Sequence, residues 1–227
     1  MIDSTDLVNY YEYKDDEGEV IFERYIYCEP TDTLDMAWDN SEDKYNMQPG
    51  WNRDSVYGNN TCFLLYNLPK VIESVKRGDP ILLVKSESDV EIIESYTDYT
   101  ATCFTVIFTD SEKLENMAMK HIKDAKLYLV LNNSSIEDWL KYDIIQEAIE
   151  LSKSTKVVEY NGREDTLTQS FQEPFCDDPY YEADIFIEAV KNAEELNAYL
   201  EKKEKRDKEW ADYLEAKKSE QEEHLKK

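Results

Sequence analysis

Two short runs of apolar and aromatic residues, 81–84 (ILLV) and 127–131 (LYLVL), stand out in a sequence that is otherwise polar. Runs of this length are typical of strands that are buried on both faces, as in parallel sheets. Segments with helical spacing follow these runs at about 88–95 and 136–152, and a further strand pattern lies at 156–160. Strands that alternate with helices predict an α/β fold, in which helices flank a mostly parallel sheet.

The N-terminal residues predict a β-hairpin ahead of this sheet. Residues 8–14 and 19–28 have strand patterns, and the DDEG sequence between them is typical of a tight turn. Residues 30–60 are polar with scattered aromatics, and we expect an extended loop there. The candidate binding residues in this loop are Trp38, Trp51 and Tyr57. Such side chains anchor partners in some proteins and pin a loop to the core in others.

The segment between the hairpin and the second apolar run contains two further helix patterns. Residues 62–68 (CFLLYNL) lead to Pro69 and then to a helix at about 70–77, which we expect to end at Gly78. Residues 100–108 predict one long strand or two short ones. Ser111 is a plausible N-cap for the helix that follows.

The C-terminal residues predict a helical tail, because no Gly or Pro occurs from residue 182 to residue 227. The apolar residues at helical spacing in its first segment are Phe186, Ala189, Ala193, Leu196 and Leu200. We expect this segment to pack on the domain or on a partner. The second segment carries the candidate binding residue Trp210, and we expect it to project from the domain.

The balance of charge limits the partners that the chain can bind. It carries 51 acidic and 26 basic residues, a formal net charge of −25. Residues 182–227 contribute −4 (14 acidic against 10 basic), so residues 1–181 carry −21. Because nucleic-acid binders neutralise phosphates with Lys and Arg, this balance disfavours binding to bulk nucleic acid. It suits solubility alone, a protein partner with a basic surface, or competition for a nucleic-acid-binding groove.

The cysteines and histidines do not have the spacing of a metal centre. They are Cys28, Cys62, Cys103, Cys176, His121 and His224. We therefore predict no zinc site and no other cofactor, and we expect Cys103, which lies in an apolar run, to pack in the core. No run approaches 18 apolar residues, so we expect a cytoplasmic protein without a membrane span.

Two segments carry a recognisable series of motifs. Residues 10–30 (YYEYKDDEGEVIFERYIYCEP) combine a tyrosine-rich strand, an acidic turn and a strand that ends in E-P. Residues 62–84 (CFLLYNLPKVIESVKRGDPILLV) contain L-Y-x-L-P, a helix and an apolar strand. Over about 7–171 the chain resembles the TOPRIM-containing primases of phages and plasmids. The resemblance implies an N-terminal hairpin and aromatic loop region at 1–78 and a TOPRIM-like α/β domain at 79–175. A charged helical tail at 176–227 lies outside it.

The resemblance also implies an active site whose metal-binding residues are largely replaced. In the family, the apolar strand runs into V-E-G-E-x-D, whose first Glu acts in catalysis, and a D-x-D after another strand binds Mg²⁺. On this chain the catalytic Glu falls on Lys85, and the two metal carboxylates fall on Asn132 and Ser134. A cation and two neutral side chains are poor partners for a hard divalent ion. We therefore expect a catalytically degenerate site without a metal.

Glu87 and Asp89 are the acidic residues that remain of this motif. They favour the start of a helix, where carboxylates interact with the positive end of the dipole. Alternatively, they rebuild a shifted metal site together with Glu91 and with Asp138 or Asp143.

Three functions are compatible with these features. The first is a phage or mobile-element protein that binds a host nucleic-acid-handling machine, as an anti-defence or anti-CRISPR-like inhibitor or as an adaptor. A nucleic-acid-guided nuclease is one such basic target. The second is an enzyme that processes RNA or DNA with a shifted carboxylate site. The third is a primase-associated subunit that docks through its helical tail.

Overall fold

The computed structural model describes residues 7–27, 33–37, 61–108, 117–162, 167–171 and 178–225. The described strands are β1 (Leu7–Lys14), β2 (Val20–Tyr27), β3 (Thr33–Ala37), β4 (Thr61–Leu65), β5 (Pro80–Leu83), β6 (Thr100–Thr102), β7 (Phe104–Phe108), β8 (Lys126–Asn132), β9 (Ser154–Tyr160) and β10 (Glu194–Glu195). The described helices are α1 (Leu68–Arg77), α2 (Glu87–Tyr96), α3 (Met117–Ile122), α4 (Ile136–Leu140), α5 (Asp143–Leu151), α6 (Leu167–Phe171), α7 (Pro179–Lys191) and α8 (Leu196–Leu225).

A five-stranded, mostly parallel sheet is the centre of the fold, as the sequence predicts. Its strand order is β10-β9-β8-β5-β6. The strands β6, β5, β8 and β9 are parallel, and β10 joins β9 in the antiparallel direction. The three side chains of Ile81, Leu82 and Leu83 in β5 are fully buried. Strand β5 is therefore covered on both faces, which explains its uninterrupted apolar sequence.

The two faces of the sheet support separate apolar cores, because successive side chains of a strand point to opposite faces. On one face, Leu127 and Leu129 of β8 pack with residues of α1, α3, α4 and α5. On the other face, Val130 and Val158 pack with residues of α2, α6 and α7. The sheet is thus the middle layer of three, with helices on each side.

The N-terminal hairpin forms as predicted, with β1 and β2 paired antiparallel. Gly18 closes the turn with a positive φ of 87°, and the carboxylate of Asp15 accepts the backbone N–H groups of Glu17 and Glu19. The prediction of an extended loop for all of 30–60 was wrong at one place. Residues 33–37 form β3, which pairs with β2. Pairing with a neighbouring strand stabilises this extended segment, and its own composition does not reveal that partner.

Residues 100–108 form two short strands that belong to different sheets. Strand β6 pairs with β5, whereas β7 pairs antiparallel with β4 in a separate two-stranded sheet. The chain changes sheets at Cys103, which is buried as predicted.

Two predicted continuous helices are interrupted in the structure. The segment 136–152 contains α4 and α5, which are separated at Lys141 and Tyr142. The C-terminal segment contains α7 and α8, which are separated by β10. Because Glu194 and Glu195 pair with β9, their backbone is extended and the helix stops before them. Helical spacing of apolar residues does not report such a break when the flanking residues all favour helices.

Helix α7 packs on the sheet as an integral layer of the body. Ala183, Phe186 and Val190 are buried in the second core, and the Phe186 ring contacts Tyr160 and Phe171 edge to face. Asp178 caps the start of the helix by accepting the N–H groups of Tyr180 and Tyr181. No helix within the described residues is both long enough and apolar enough to cross a membrane.

We predict that Phe186→Ala lowers the free energy of unfolding by about 3–5 kcal/mol, because it removes a fully buried ring and leaves a cavity. The control is Ile185→Ala on the same helix, whose side chain is 41% exposed and which should change stability by at most about 0.5 kcal/mol. Urea denaturation followed by circular dichroism measures both. Equal effects of the two substitutions would contradict the packing of α7 on the sheet.

Candidate functional site

The family-motif positions meet at one edge of the parallel sheet. Strands β5 and β8 are parallel neighbours, with Leu83 opposite Leu129, so their carboxyl ends lie side by side. Residues 85–89 follow β5, and residues 132–134 form the end of β8 and the turn after it. We call these two segments the carboxyl edge. Ligand sites of open α/β sheets occur at such edges, which makes this the candidate site.

The carboxylate of Glu87 is held by two side chains of the N-terminal hairpin. Glu87 opens α2 and is only 7% exposed. Arg24 on β2 places its Nη1 atom 2.7 Å from Oε1 of Glu87, and the Tyr13 hydroxyl on β1 donates a hydrogen bond to the same oxygen. The negative charge is therefore compensated within the chain.

The groups around Glu87 remain protonated at neutral pH. Burial raises the pKa of the Tyr13 phenol, and the nearby negative charge of Glu87 raises it further. Burial likewise raises the pKa of the Cys103 thiol well above its ordinary value. Tyr13 thus acts as a hydrogen-bond donor to Glu87. Burial and the raised pKa of Cys103 disfavour the thiolate, which is the nucleophilic form.

The carboxylate of Asp89 also accepts hydrogen bonds from within the protein. Its Oδ1 atom accepts the backbone N–H of Thr168 at 3.1 Å and the hydroxyl of Thr168 at 3.2 Å. Ser86 is the N-cap of α2 and accepts the backbone N–H of Asp89 at 3.2 Å. Ser86 has an ordinary extended conformation (φ −142°), so a serine fits where the family has glycine. Glu87 and Asp89 thus lie in the first turn of a helix and also hold neighbouring elements together.

Neutral side chains occupy the end of β8. Asn132 is buried, and the exposed Asn133 donates from Nδ2 to the backbone oxygen of Gly162 at 2.8 Å. Gly162 is closely surrounded, because a Cβ atom there would lie 2.5 Å from Oγ of Ser170 and 2.8 Å from Oδ1 of Asn132. The Oγ atom of Ser134 is buried without a hydrogen-bond partner among the described residues. Amide and hydroxyl groups provide no charge to balance a divalent cation.

The other sequence-predicted site residues have different surroundings from Glu87 and Asp89, or lie outside the described residues. Lys85 is exposed at the carboxyl edge. Glu91 accepts a hydrogen bond from the Tyr66 hydroxyl at 3.3 Å, and Asp138 accepts the Ser135 backbone N–H at the start of α4. Trp210 lies on α8. Outside the described residues are Trp38, Trp51 and Tyr57. Within the described ranges, no three acidic, cysteine or histidine side chains are grouped so that they could hold a metal.

Sequence reasoning missed Arg24, Tyr13 and Thr168 as partners of the motif carboxylates. Arg24 is the only cation in the β2 sequence VIFERYIY, which is a weak signal for a buried charge partner. Its pairing with a residue 63 positions away depends on the fold.

The chain is similar in fold to several solved DnaG primase structures. It matches a DnaG primase catalytic domain bound to single-stranded DNA at 16% identity and a TM-score of 0.48, over 86% of this chain and 54% of that one. It matches the E. coli primase catalytic core at 14% identity and a TM-score of 0.46, over 86% and 55% of the two chains. A DNA primase domain from Pseudomonas aeruginosa matches at 15% identity and 0.44, over 84% and 53%.

The chain spans about half the length of these primase structures. No protein-family model matches the sequence, and no curated protein matches it. At these identities the likeness concerns the fold, and we base the functional proposal on the side chains of this chain.

We predict that Arg24→Ala lowers the free energy of unfolding by about 3 kcal/mol or more, because it leaves the carboxylate of Glu87 buried without its cation. The double substitution of Arg24→Met with Glu87→Leu should recover part of this loss, since it removes both charges together but leaves the Tyr13 hydroxyl without its acceptor. Guanidinium denaturation at pH 7 measures these values. Lys141→Ala is the control, because its ion pair with Asp138 is exposed and should contribute less than about 1 kcal/mol. An Arg24→Ala effect no larger than that of the control would contradict the structural role of this ion pair.

Proposed function

We propose that this protein is a primase-like phage or mobile-element protein that acts by binding, without metal chemistry of its own. Its target is a basic host protein that handles nucleic acid. The chain acts on this target as an anti-defence or anti-CRISPR-like inhibitor, or as an adaptor. The observation that carries the proposal is the ion pair between Arg24 and Glu87 at the carboxyl edge. There, the carboxylate of Glu87 is already paired with a cation of the protein itself, the guanidinium of Arg24.

A divalent ion at this edge would compete with groups that are already bound. Mg²⁺ favours octahedral coordination by oxygen atoms and usually takes one or two carboxylates from the protein. At Glu87 it would compete with the Arg24 guanidinium and the Tyr13 hydroxyl, which already contact Oε1. At Asp89 it would meet an Oδ1 atom that already accepts two hydrogen bonds from Thr168. The remaining motif positions provide only Lys85, Asn132 and Ser134. This chemistry supports a binding role over metal-dependent phosphoryl transfer.

The charge of the chain supports a protein partner with a basic surface. Nucleic acid is repelled by a net charge of −25, whereas a basic groove that normally receives nucleic acid is attracted. Opposite charges across an interface also accelerate association and exclude like-charged competitors. The acidic character lies mainly in residues 1–181, so the proposed complex uses this part of the chain.

We predict that the purified protein shows no saturable binding of Mn²⁺ or Mg²⁺ at micromolar concentration, because its motif carboxylates are occupied internally. Isothermal titration calorimetry measures this, and a cleavage assay on single- and double-stranded RNA and DNA with and without EDTA accompanies it. Micromolar Mn²⁺ binding that disappears in Glu87→Gln, together with EDTA-sensitive cleavage, would instead establish the nucleic-acid-processing alternative.

We predict that the tagged chain recovers one stoichiometric host protein from a host lysate. The same protein should be recovered after the lysate is treated with nuclease. Raising the ionic strength should weaken the complex, because the Debye length falls from about 10 Å at 0.1 M salt to about 3 Å at 1 M. Mass spectrometry of the eluate identifies the protein. Recovery of a nucleic acid alone, lost on nuclease treatment, would overturn the proposal. A complex that ignores salt would count against a charge-complementary groove.

A further inference from the structure

The described helices that cover one face of the central sheet carry almost only negative charge. Helices α2, α6 and α7, which pack on the second core, contain seven acidic residues and one basic residue, Lys191. The helices α1, α3, α4 and α5 on the opposite face contain six acidic and four basic residues. In the sequence, the segments 86–112 and 164–190 hold 15 acidic residues and no Lys or Arg. The two faces of the sheet therefore differ in charge.

The cations beside α2 and α7 are mostly engaged by other groups of the protein. Lys85 is exposed directly before α2, at the carboxyl edge. The basic segment 202–208 of α8 belongs to the opposite side, because Tyr199 at the start of α8 packs in the first core. Among the described residues, Lys70 contacts Glu94, Lys191 contacts Glu188, Lys156 contacts Glu195 and Lys126 donates to the backbone oxygen of Gly78.

The outer side of α7 combines apolar and acidic side chains. Phe186 and Val190 are buried in the second core, so helical periodicity places residues 181, 184, 185 and 188 on the exposed side. Tyr181 is 58% exposed and Ile185 is 41% exposed. Asp184 and Glu188, which are also exposed, alternate with them along two turns of the helix.

A contact between two tyrosines joins this side of α7 to α2. Tyr180 is 72% exposed, and its ring meets that of Tyr96 edge to face with the centroids 5.5 Å apart. The Tyr96 ring also contacts Phe171 of α6. The exposed Tyr180 side chain is thus supported by the layer beneath it. We call the exposed residues of these helices and of the turn after α2 the acidic face; they are Glu91, Asp98, Tyr180, Tyr181, Asp184, Ile185 and Glu188.

We propose that the acidic face is the docking surface for the basic host protein, which places Arg and Lys side chains across it. Their charged heads pair with carboxylates such as Asp184 and Glu188, while their apolar stems pack on the rings of Tyr180 and Tyr181. The inference rests on the proposed function and specifies which side of the chain the partner covers.

The charge of the acidic face selects a basic protein over other occupants. Nucleic acid and anionic lipid surfaces are repelled by it. A second copy of the chain would bring two acidic faces together, and such like-charge contacts are unfavourable. An uncharged apolar partner would remove the carboxylates from water without supplying a cation, which is costly. A basic surface offers partners to the carboxylates and to the tyrosine rings together.

The first test compares two variants of the 227-residue chain that change its net charge equally. Asp184→Lys with Glu188→Lys reverses two charges on the acidic face. Glu147→Lys with Glu150→Lys reverses two exposed charges on α5, which packs on the first core. The captured host protein is purified and titrated against each variant at 0.1 M salt. The first variant should raise Kd about 30-fold or more, because close charge pairs become repulsive. The α5 variant should change Kd less than about threefold, since charges beyond about 10 Å are screened.

The second test examines the apolar side chains of the acidic face. Tyr181→Ala with Ile185→Ala should raise Kd about tenfold or more, which is a loss typical of interface anchors. Its control is Tyr142→Ala with Leu151→Ala, which removes an exposed tyrosine and an exposed aliphatic side chain at the two ends of α5. The circular dichroism spectra of all four variants should match that of the parent chain.

Carbodiimide crosslinking identifies the contact chemically, because it joins a carboxylate to a lysine amine that touches it. We expect crosslinked peptides that connect residues 178–191 to lysines of the captured protein. If the variants of the acidic face bind as well as their controls, or if the crosslinks lie only elsewhere, the docking inference is wrong while the proposed function stands. If no protein is captured, both fail. A complex that is lost in EDTA, or a doubled mass in sedimentation that Asp184→Lys with Glu188→Lys abolishes, would also overturn the inference.

Discussion

The ion pair between Arg24 and Glu87 connects the N-terminal hairpin with the start of helix α2. Arg24 belongs to the antiparallel hairpin and Glu87 to the first turn of α2, after the central strand β5. Tyr13 from the neighbouring strand donates to the same carboxylate. Because a buried charge is costly without its partner, the position of the hairpin and the start of α2 are fixed together. Asp89, two residues further on, extends this connection to Thr168 of α6.

These contacts also determine what the carboxyl edge can do. An edge of this kind in a parallel sheet commonly receives a ligand, and the orientation of its polar side chains decides which one. Here the acidic side chains point into the protein, while neutral Asn132 is buried at the adjacent strand end. The carboxylates of the carboxyl edge are thus bound by other residues of the protein. Other molecules would have to bind to the surface around this edge. The acidic surface supplies the interactions with the partner in the proposed complex.

The sequence predicted the elements that depend on local pattern and could not predict those that depend on distant partners. Strand β5 was predictable because four consecutive apolar residues fit a strand covered on both faces. The hairpin was predictable from its acidic turn and Gly18. Strand β3 and strand β10 were not, because each exists only through pairing with an edge strand. The motif positions 85–89 and 132–134 were predictable as neighbours, whereas the occupation of Glu87 by Arg24 required the fold.

The two-residue strand β10 has a consequence for the behaviour of the protein at high concentration. Without it, β9 would present a seven-residue row of unpaired backbone groups at the side of the sheet. Such a row can recruit a strand from another molecule and begin aggregation. The residues that cover part of it are Glu194 and Glu195, and the opposite border of the sheet, β6, has only three residues. Short border strands and charged side chains disfavour edge-to-edge association of sheets, so the short strands β6 and β10 make the two borders of this five-stranded sheet poorer templates for a strand from another molecule.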